Sequence, residues 1–142
     1  MDLTSVFFTE NFRKFRLQNP NPKGVFYCIN LCFDPPPILE NKEASKILDW
    51  VHWILKCIYS KVGIMFGKFW IDEKLTGRNG LEIASPPLNF LSIRSAIKPN
   101  DPYFLTNTEF ILQDMLSSKD TGEDLHSEFG ISNIEKQTIA NL

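Results

Sequence analysis

The segment from Glu43 to Val62 constrains the fold more than any other part of the chain, because its hydrophobic periodicity predicts a helix of about five turns. One narrow stripe of this helix is polar and consists of Asp49, His52, Lys56 and Ser60. The opposite side is apolar and is centred on Val51, Ile54 and Ile58. We therefore expect Ile54 to lie in the core and His52 to lie at the surface.

The apolar side of this helix covers more than half of its circumference. A helix that packs on one face of a sheet needs an apolar arc of little more than ~100°. The excess lies around Trp50, Trp53 and Cys57, and it predicts a second contact with the amino-terminal helix, a partner chain or a ligand.

Three segments rich in β-branched and aromatic residues predict strands, and they span Val25 to Phe33, Ile64 to Ile71 and Leu88 to Ile97. The first lacks strict alternation, which is typical of a strand covered on both faces. Turn residues bound all three, and a polar connection, Asp72 to Gly80, follows the second.

Two further helices are predicted. Thr9 to Leu17 places Phe8, Phe12 and Phe15 at helical spacing, with Thr9 as its cap and the basic residues facing water. Near the other end, Thr106 and Glu109 form a capping box for a helix that ends at Ser117.

The order of these elements predicts an α+β fold, with a small mixed sheet of three to four strands and helices packed mainly on one face. We expect residues 1–117 to form a single domain. Residues 118–142 are polar and predict a tail that is loosely docked or disordered, with a late short helix from Ser132 to Ala140.

Composition narrows the function classes. The 142 residues carry a net charge of -2, which gives no general attraction to nucleic acid or to anionic lipid. No apolar run approaches the ~20 residues that span a bilayer, and no signal peptide is recognised at the amino terminus. Three cysteines are too few for a disulfide framework. We expect a cytoplasmic protein that binds neither nucleic acid nor membranes.

No metal or catalytic site is predicted. The candidate zinc ligands are Cys28, Cys32, Cys57 and His52. Cys28 and Cys32 would stand ~13 Å apart along a strand, too far to share one ion, so we expect buried apolar thiols instead. His52 and His126 are typical of solvated surface histidines.

Other chemical motifs are equally weak. The glycines match neither the P-loop spacing nor the dinucleotide-binding spacing, and no cofactor can be named. Asp72 and Glu73 are neighbours in sequence, so we interpret them as loop solubilisers rather than an acid-base pair. Phe12 to Arg16 alternates aromatic and cationic residues as some nucleic-acid binders do, but a terminal helix with Arg13, Lys14 and Arg16 in water explains the same pattern.

Arg94 is the most informative charged residue, because it lies within an otherwise apolar strand segment. If its face is covered, it needs a carboxylate or an anionic ligand, since burying an unpaired charge is prohibitive. Asp101 is the nearest candidate partner.

The run Gly63 to Phe69 resembles the Gly-Leu-Met-Ile-Gly-Glu-Phe string of an uncharacterised bacterial domain family, with Lys68 in place of the acidic residue. Ser85-Pro86, Ile93-Arg94, Asp101 and Phe104-Leu105 extend the resemblance. No activity of that family is established. The resemblance therefore implies that Gly63, Gly67, Arg94 and Asp101 matter, with a ligand-binding role as the expectation.

Two function classes remain open. The first is a binding or accessory domain that meets a protein partner, or a second copy of itself, through Trp50 and Trp53. The second is a small-molecule tailoring enzyme or ligand-binding domain of bacterial metabolism, with Arg94 as the anion anchor.

Overall fold

The computed structural model describes residues 3–20, 27–34, 41–71, 73–77, 79–105 and 107–125. The helices in this part are α1 (Leu3–Gln18), α2 (Asn41–Tyr59) and α3 (Glu109–Leu116). The strands are β1 (Cys28–Cys32), β2 (Ile64–Phe69), β3 (Leu75–Thr76), β4 (Glu82–Ile83) and β5 (Phe90–Ser95). Short 3₁₀ turns cover Ser60–Val62 and Asp101–Leu105.

The main sheet has the strand order β1-β5-β2. Cys28 lies opposite Arg94 on one side of β5, and Met65 lies opposite Arg94 on the other. The α+β class is thus confirmed, and β2 pairs with β5 as expected. Both pairings are antiparallel, however, whereas we expected a mixed sheet, because β5 inserts between the two strands that α2 connects. β3 and β4 form a separate antiparallel hairpin.

The main core lies on one face of this sheet. Helices α1 and α2 cover that face, and their side chains Val6, Phe12, Leu55 and Tyr59 pack with the strand residues Ile64, Phe66, Leu91 and Ile93. A smaller cluster holds α3 to the start of β2 and consists of Met65, Leu105, Ile111 and Met115. The opposite face of β5, which carries Ser92 and Arg94, is therefore left partly open.

The orientation of α2 differs from the sequence prediction. Its core line runs through Ala44, Leu48, Leu55 and Tyr59. Leu55 is 1% exposed, but the neighbouring Ile54 is 39% exposed. His52 is half-buried instead of solvated. The prediction of Ile54 in the core and His52 at the surface was wrong, because α2 lies along β2 with its polar stripe against the strand.

Helix α1 is longer than predicted and begins at Leu3. Thr9 is therefore not a cap: it lies inside the helix, where its Oγ1 donates to the Ser5 carbonyl at 2.6 Å. Arg13 does not face water either, since it is 2% exposed and bonds to Glu10 and Asp120. Because these two carboxylates pair with it, the Arg13 guanidinium can be buried instead of facing water.

Residues 118–125 pack against the rest of the fold. Asp120 pairs with Arg13 and Arg16 of α1, and Leu125 belongs to the main core. These residues begin the segment that we expected to be a loosely docked tail. The predicted helix from Ser132 to Ala140 and His126 lie outside the described residues.

Two other local predictions were wrong. β1 shows exposed residues at alternate positions, so one of its faces is open and it is not covered on both sides. Thr108, not Thr106, caps α3, and its side chain makes no capping hydrogen bond. Thr106 lies outside the described residues.

Candidate functional site

A cleft of about 550 Å³ opens between the polar stripe of α2, the open face of the sheet and the β3-β4 hairpin. Its charged and polar lining consists of Asp49, His52, Lys56, Lys68, Glu73, Thr76, Ser92 and Arg94. Its apolar lining includes Met65, Phe66, Phe69, Leu75, Ile83 and Phe104. A concave apolar surface with a few converging polar groups is the usual form of a small-molecule site.

His52 is positioned by the outer edge of β2. The Gly63 carbonyl accepts from Ala96 N, so the hydrogen bonds to β5 fall on odd-numbered residues and the Phe66 carbonyl points away from the sheet. His52 Nε2 lies 3.0 Å from that oxygen. Because a carbonyl only accepts, Nε2 carries the proton and Nδ1 is left as an acceptor.

The His52 imidazole is uncharged at neutral pH. Burial, and then the nearby Lys56 charge, lower its pKa to about 4. At that pKa the ring is a weak base, so it is poorly suited to general base catalysis near neutral pH.

Lys56 and Arg94 form a cationic end of the cleft. Arg94 makes two hydrogen bonds to Asp101, at 2.9 and 2.7 Å, and Asp101 is almost fully buried. Lys56 is half-buried and makes no hydrogen bond or ion pair with any other described residue. Burial, followed by the charge of Arg94, lowers its pKa, and the smaller effect of the Asp101 charge opposes this.

Lys68 lies at the other end of the cleft between two carboxylates. Its Nζ pairs with Asp49 of α2 and lies 3.6 Å from Glu73 Oε1. Glu73 Oε2 is buried and has no hydrogen-bond partner among the residues that the structure describes. Glu73 is therefore not the simple loop solubiliser that the sequence suggested; Asp72 lies outside the described residues.

Gly67 keeps the floor of the cleft open. A Cβ at this position would lie 2.7 Å from the Phe69 ring, which stacks on Phe90 at 4.6 Å between centroids. A side chain at position 67 would force Phe69 to move, so glycine permits the close approach of ring and backbone.

The structure brings only some of the predicted site residues together. Arg94 and Gly67 line the cleft, while Asp101 lies behind Arg94 as its partner. Gly63 does not line it: with φ of 71° it ends the 3₁₀ turn before β2, and its N–H donates to the Ser60 carbonyl. Its role there is a turn that favours glycine.

Sequence reasoning missed Lys56, Lys68 and His52 as cleft residues. The signal was present, because Asp49, His52 and Lys56 form the polar stripe of α2. That stripe was interpreted as solvated, whereas it faces a groove beside β2.

Trp50 and Trp53 lie on a different surface from the cleft. Trp50 is 71% exposed, and the Trp53 ring meets Phe110 of α3 edge to face at 6.1 Å. The apolar face around them, here named the α2-α3 face, consists of Ile47, Trp50, Trp53, Ile54 and Phe110, all of which are exposed.

The cysteines show no arrangement that indicates a metal. Cys28 and Cys32 are exposed on β1, which contradicts the expectation of buried thiols, and Cys57 is half-buried. No group of three or more His, Cys, Asp or Glu side chains is placed to hold a metal ion within the described ranges. No helix in this part of the chain is both long and apolar enough to cross a membrane.

Compared with family models, with curated proteins and with solved structures, the chain gives no match. The resemblance of Gly63 to Leu105 to a bacterial domain family therefore stays a prediction from the sequence.

Proposed function

We propose that this chain is a small-molecule binding domain that holds an anionic ligand in the cleft beside α2. The observation that carries the proposal is Lys56, a half-buried ammonium with no ion pair among the described residues. Burying an unpaired charge costs free energy unless a partner arrives, and Arg94 beside it increases the cost. An anion bound between the two cations would remove that penalty.

Arg94 is a secondary anchor in this proposal. Its bidentate pair with Asp101 commits two nitrogens, and Nη1 also donates to the Ser95 carbonyl at 3.0 Å. Removing Arg94 would leave the carboxylate of Asp101 buried and unpaired, so Arg94→Ala would disturb the fold as well as the cleft. Lys56 offers a cleaner test, because no described partner depends on it.

The test is an amide chemical-shift titration of the protein with phenylacetate, and separately with inorganic phosphate. We expect a saturable shift of amides in β2 and around His52, and dissociation constants at least ten-fold weaker in Lys56→Met. Lys46→Met is the matched control, since Lys46 is an exposed lysine of the same helix outside the cleft. Equal binding by wild type and Lys56→Met, or no shift of cleft amides with either anion, would overturn the proposal.

The proposal ends at binding and assigns no reaction. The weakly basic His52 gives no support to the tailoring-enzyme alternative. The cytoplasmic location and the bacterial relationship expected from the sequence stay predictions.

A second candidate function is association with another copy through the α2-α3 face. Exposed contiguous apolar surface is typical of interaction sites. The face is continuous, because Ile47, Trp50 and Ile54 recur at helical spacing along α2 and Phe110 of α3 extends the face beside Trp53. A two-fold axis near Trp50 would bury this face against the same face of a second copy.

A further inference from the structure

The charges of the cleft are unevenly distributed along its length. Asp49 and Lys56 are seven residues apart on α2, which corresponds to about 10 Å at ~1.5 Å per residue. The end near Lys56 holds two cations, Lys56 and Arg94, against the single carboxylate of Asp101. The end near Asp49 holds two carboxylates, Asp49 and Glu73, against the single ammonium of Lys68.

Among the residues that the structure describes, each end of the cleft thus lacks one charge of opposite sign. At the cationic end the excess charge falls on Lys56, because Asp101 is paired with Arg94 and Lys56 makes no ion pair with a described residue. At the acidic end it falls on Glu73, because Lys68 is closer to Asp49 and reaches Glu73 Oε1 only at 3.6 Å. The second oxygen of Glu73 accepts no hydrogen bond from a described residue.

Besides its charged groups, the cleft is lined by apolar side chains and by the polar side chains of His52, Thr76 and Ser92. Phe69, Leu75 and Phe104 contribute apolar walls. His52 lies between the two charged ends, and its unprotonated Nδ1 can accept a hydrogen bond from an N–H group of a ligand.

We infer that the ligand is a short zwitterion of dipeptide size with apolar side chains. Its carboxylate lies at Lys56 and Arg94, and its ammonium group lies at Glu73 and Asp49. Two residues of extended chain span at most about 7 Å, and with a charge-assisted hydrogen bond of about 3 Å at each end such a ligand reaches up to about 13 Å, enough to cover the separation of about 10 Å. A free amino acid carries both charges on one Cα and is too short to reach both ends. This inference rests on the proposed anion site and adds the cation site opposite it.

The experiment is isothermal titration calorimetry of the full chain with Leu-Leu, N-acetyl-Leu-Leu and Leu-Leu amide. We expect each blocked peptide to bind at least ten-fold more weakly than Leu-Leu. Glu73→Gln removes the discrimination between Leu-Leu and its acetylated form, while Lys56→Met removes the discrimination between Leu-Leu and its amide. Glu82→Gln, an exposed carboxylate of β4 outside the cleft, leaves both unchanged.

The calorimetry distinguishes a failure of the zwitterion inference from a failure of the proposed anion site. If N-acetyl-Leu-Leu binds as tightly as Leu-Leu, the zwitterion inference is overturned and the anion site stands. If Leu-Leu amide binds as tightly as Leu-Leu while Lys56→Met has no effect on either, the anion site itself is overturned, and the inference falls with it.

Discussion

His52 illustrates at the residue scale how one side chain serves both fold and cleft. Its Nε2 donates a hydrogen bond to the outward-facing carbonyl of Phe66 at the edge of β2. In a larger sheet, the backbone of a neighbouring strand would supply this donor. Burial and the charge of Lys56 hold the pKa of His52 at about 4, so its imidazole is uncharged in the native protein at neutral pH. The sequence predicts that His52 lies on the polar stripe of α2. It does not predict that His52 is half-buried, because its burial depends on the position of β2 in the fold.

Protonation of His52 is expected to destabilise the native state. An unfolded histidine takes up its proton near its ordinary pKa of about 6.5, while the folded one stays neutral down to about 4. Between these values the unfolded chain binds more protons, so this group makes stability fall as the pH falls from about 6.5 to about 4, by at most about 3 kcal/mol.

The measurement is the free energy of unfolding by urea at several pH values in this window. His52→Asn can still donate to the Phe66 carbonyl but does not titrate, so its stability should fall less than that of wild type over the same window. Parallel curves for the two proteins would show that His52 is not held neutral.

At the element scale, α2 shows what periodicity can and cannot predict. Its existence and extent followed from the sequence, since Asn41–Tyr59 and the following turn cover the predicted helix. Its rotation did not. Ile47, Trp50 and Ile54 are as hydrophobic as Leu48 and Leu55, so composition alone placed the centre of the buried side too close to Ile54. Contact with the sheet, which is a long-range property, selects the line of Leu48 and Leu55.

Two adjacent truncations test the rotation of α2. Leu55→Ala removes a side chain that is almost fully buried and should cost about 2–5 kcal/mol of unfolding free energy. Ile54→Ala removes one that is partly exposed and should cost about 1 kcal/mol or less. Both values are read from chemical denaturation; a larger loss for Ile54→Ala would contradict the orientation described for α2.

At the scale of the whole molecule, the α+β class could be predicted because strands and helices each carry their own local pattern. The strand order β1-β5-β2 could not, since no local signal shows that β5 inserts between β1 and β2. The same limit applies to the cleft. Asp101 was recognised as a candidate partner of Arg94 from nearness in sequence, but Lys56 reaches Arg94 only through packing of α2 on β2.

Self-association through the α2-α3 face is a property of the whole molecule. If that face pairs two copies, sedimentation velocity should show a dimer that dissociates on dilution below micromolar concentration, and Trp50→Ser should be monomeric throughout. Leu81→Ser is the control, because Leu81 is also strongly exposed but lies in the β3-β4 hairpin. A dissociation constant of 100 micromolar corresponds to a binding free energy of about 5–6 kcal/mol, which is weak association. A wild-type protein that remains monomeric at this concentration would contradict this second candidate function.

In the proposed function, Lys56 is a half-buried cation whose charge is neutralised by an anion bound in the cleft. The most direct measurement is the pKa of its side-chain ammonium, followed by NMR of the Lys56 Nζ and Cε resonances, with and without saturating phenylacetate. We expect a Lys56 pKa below the ordinary lysine value in the free protein, because burial and Arg94 oppose the charge, and an increase in this pKa when the anion binds. An ordinary lysine pKa for Lys56 that does not change when phenylacetate is added would contradict it.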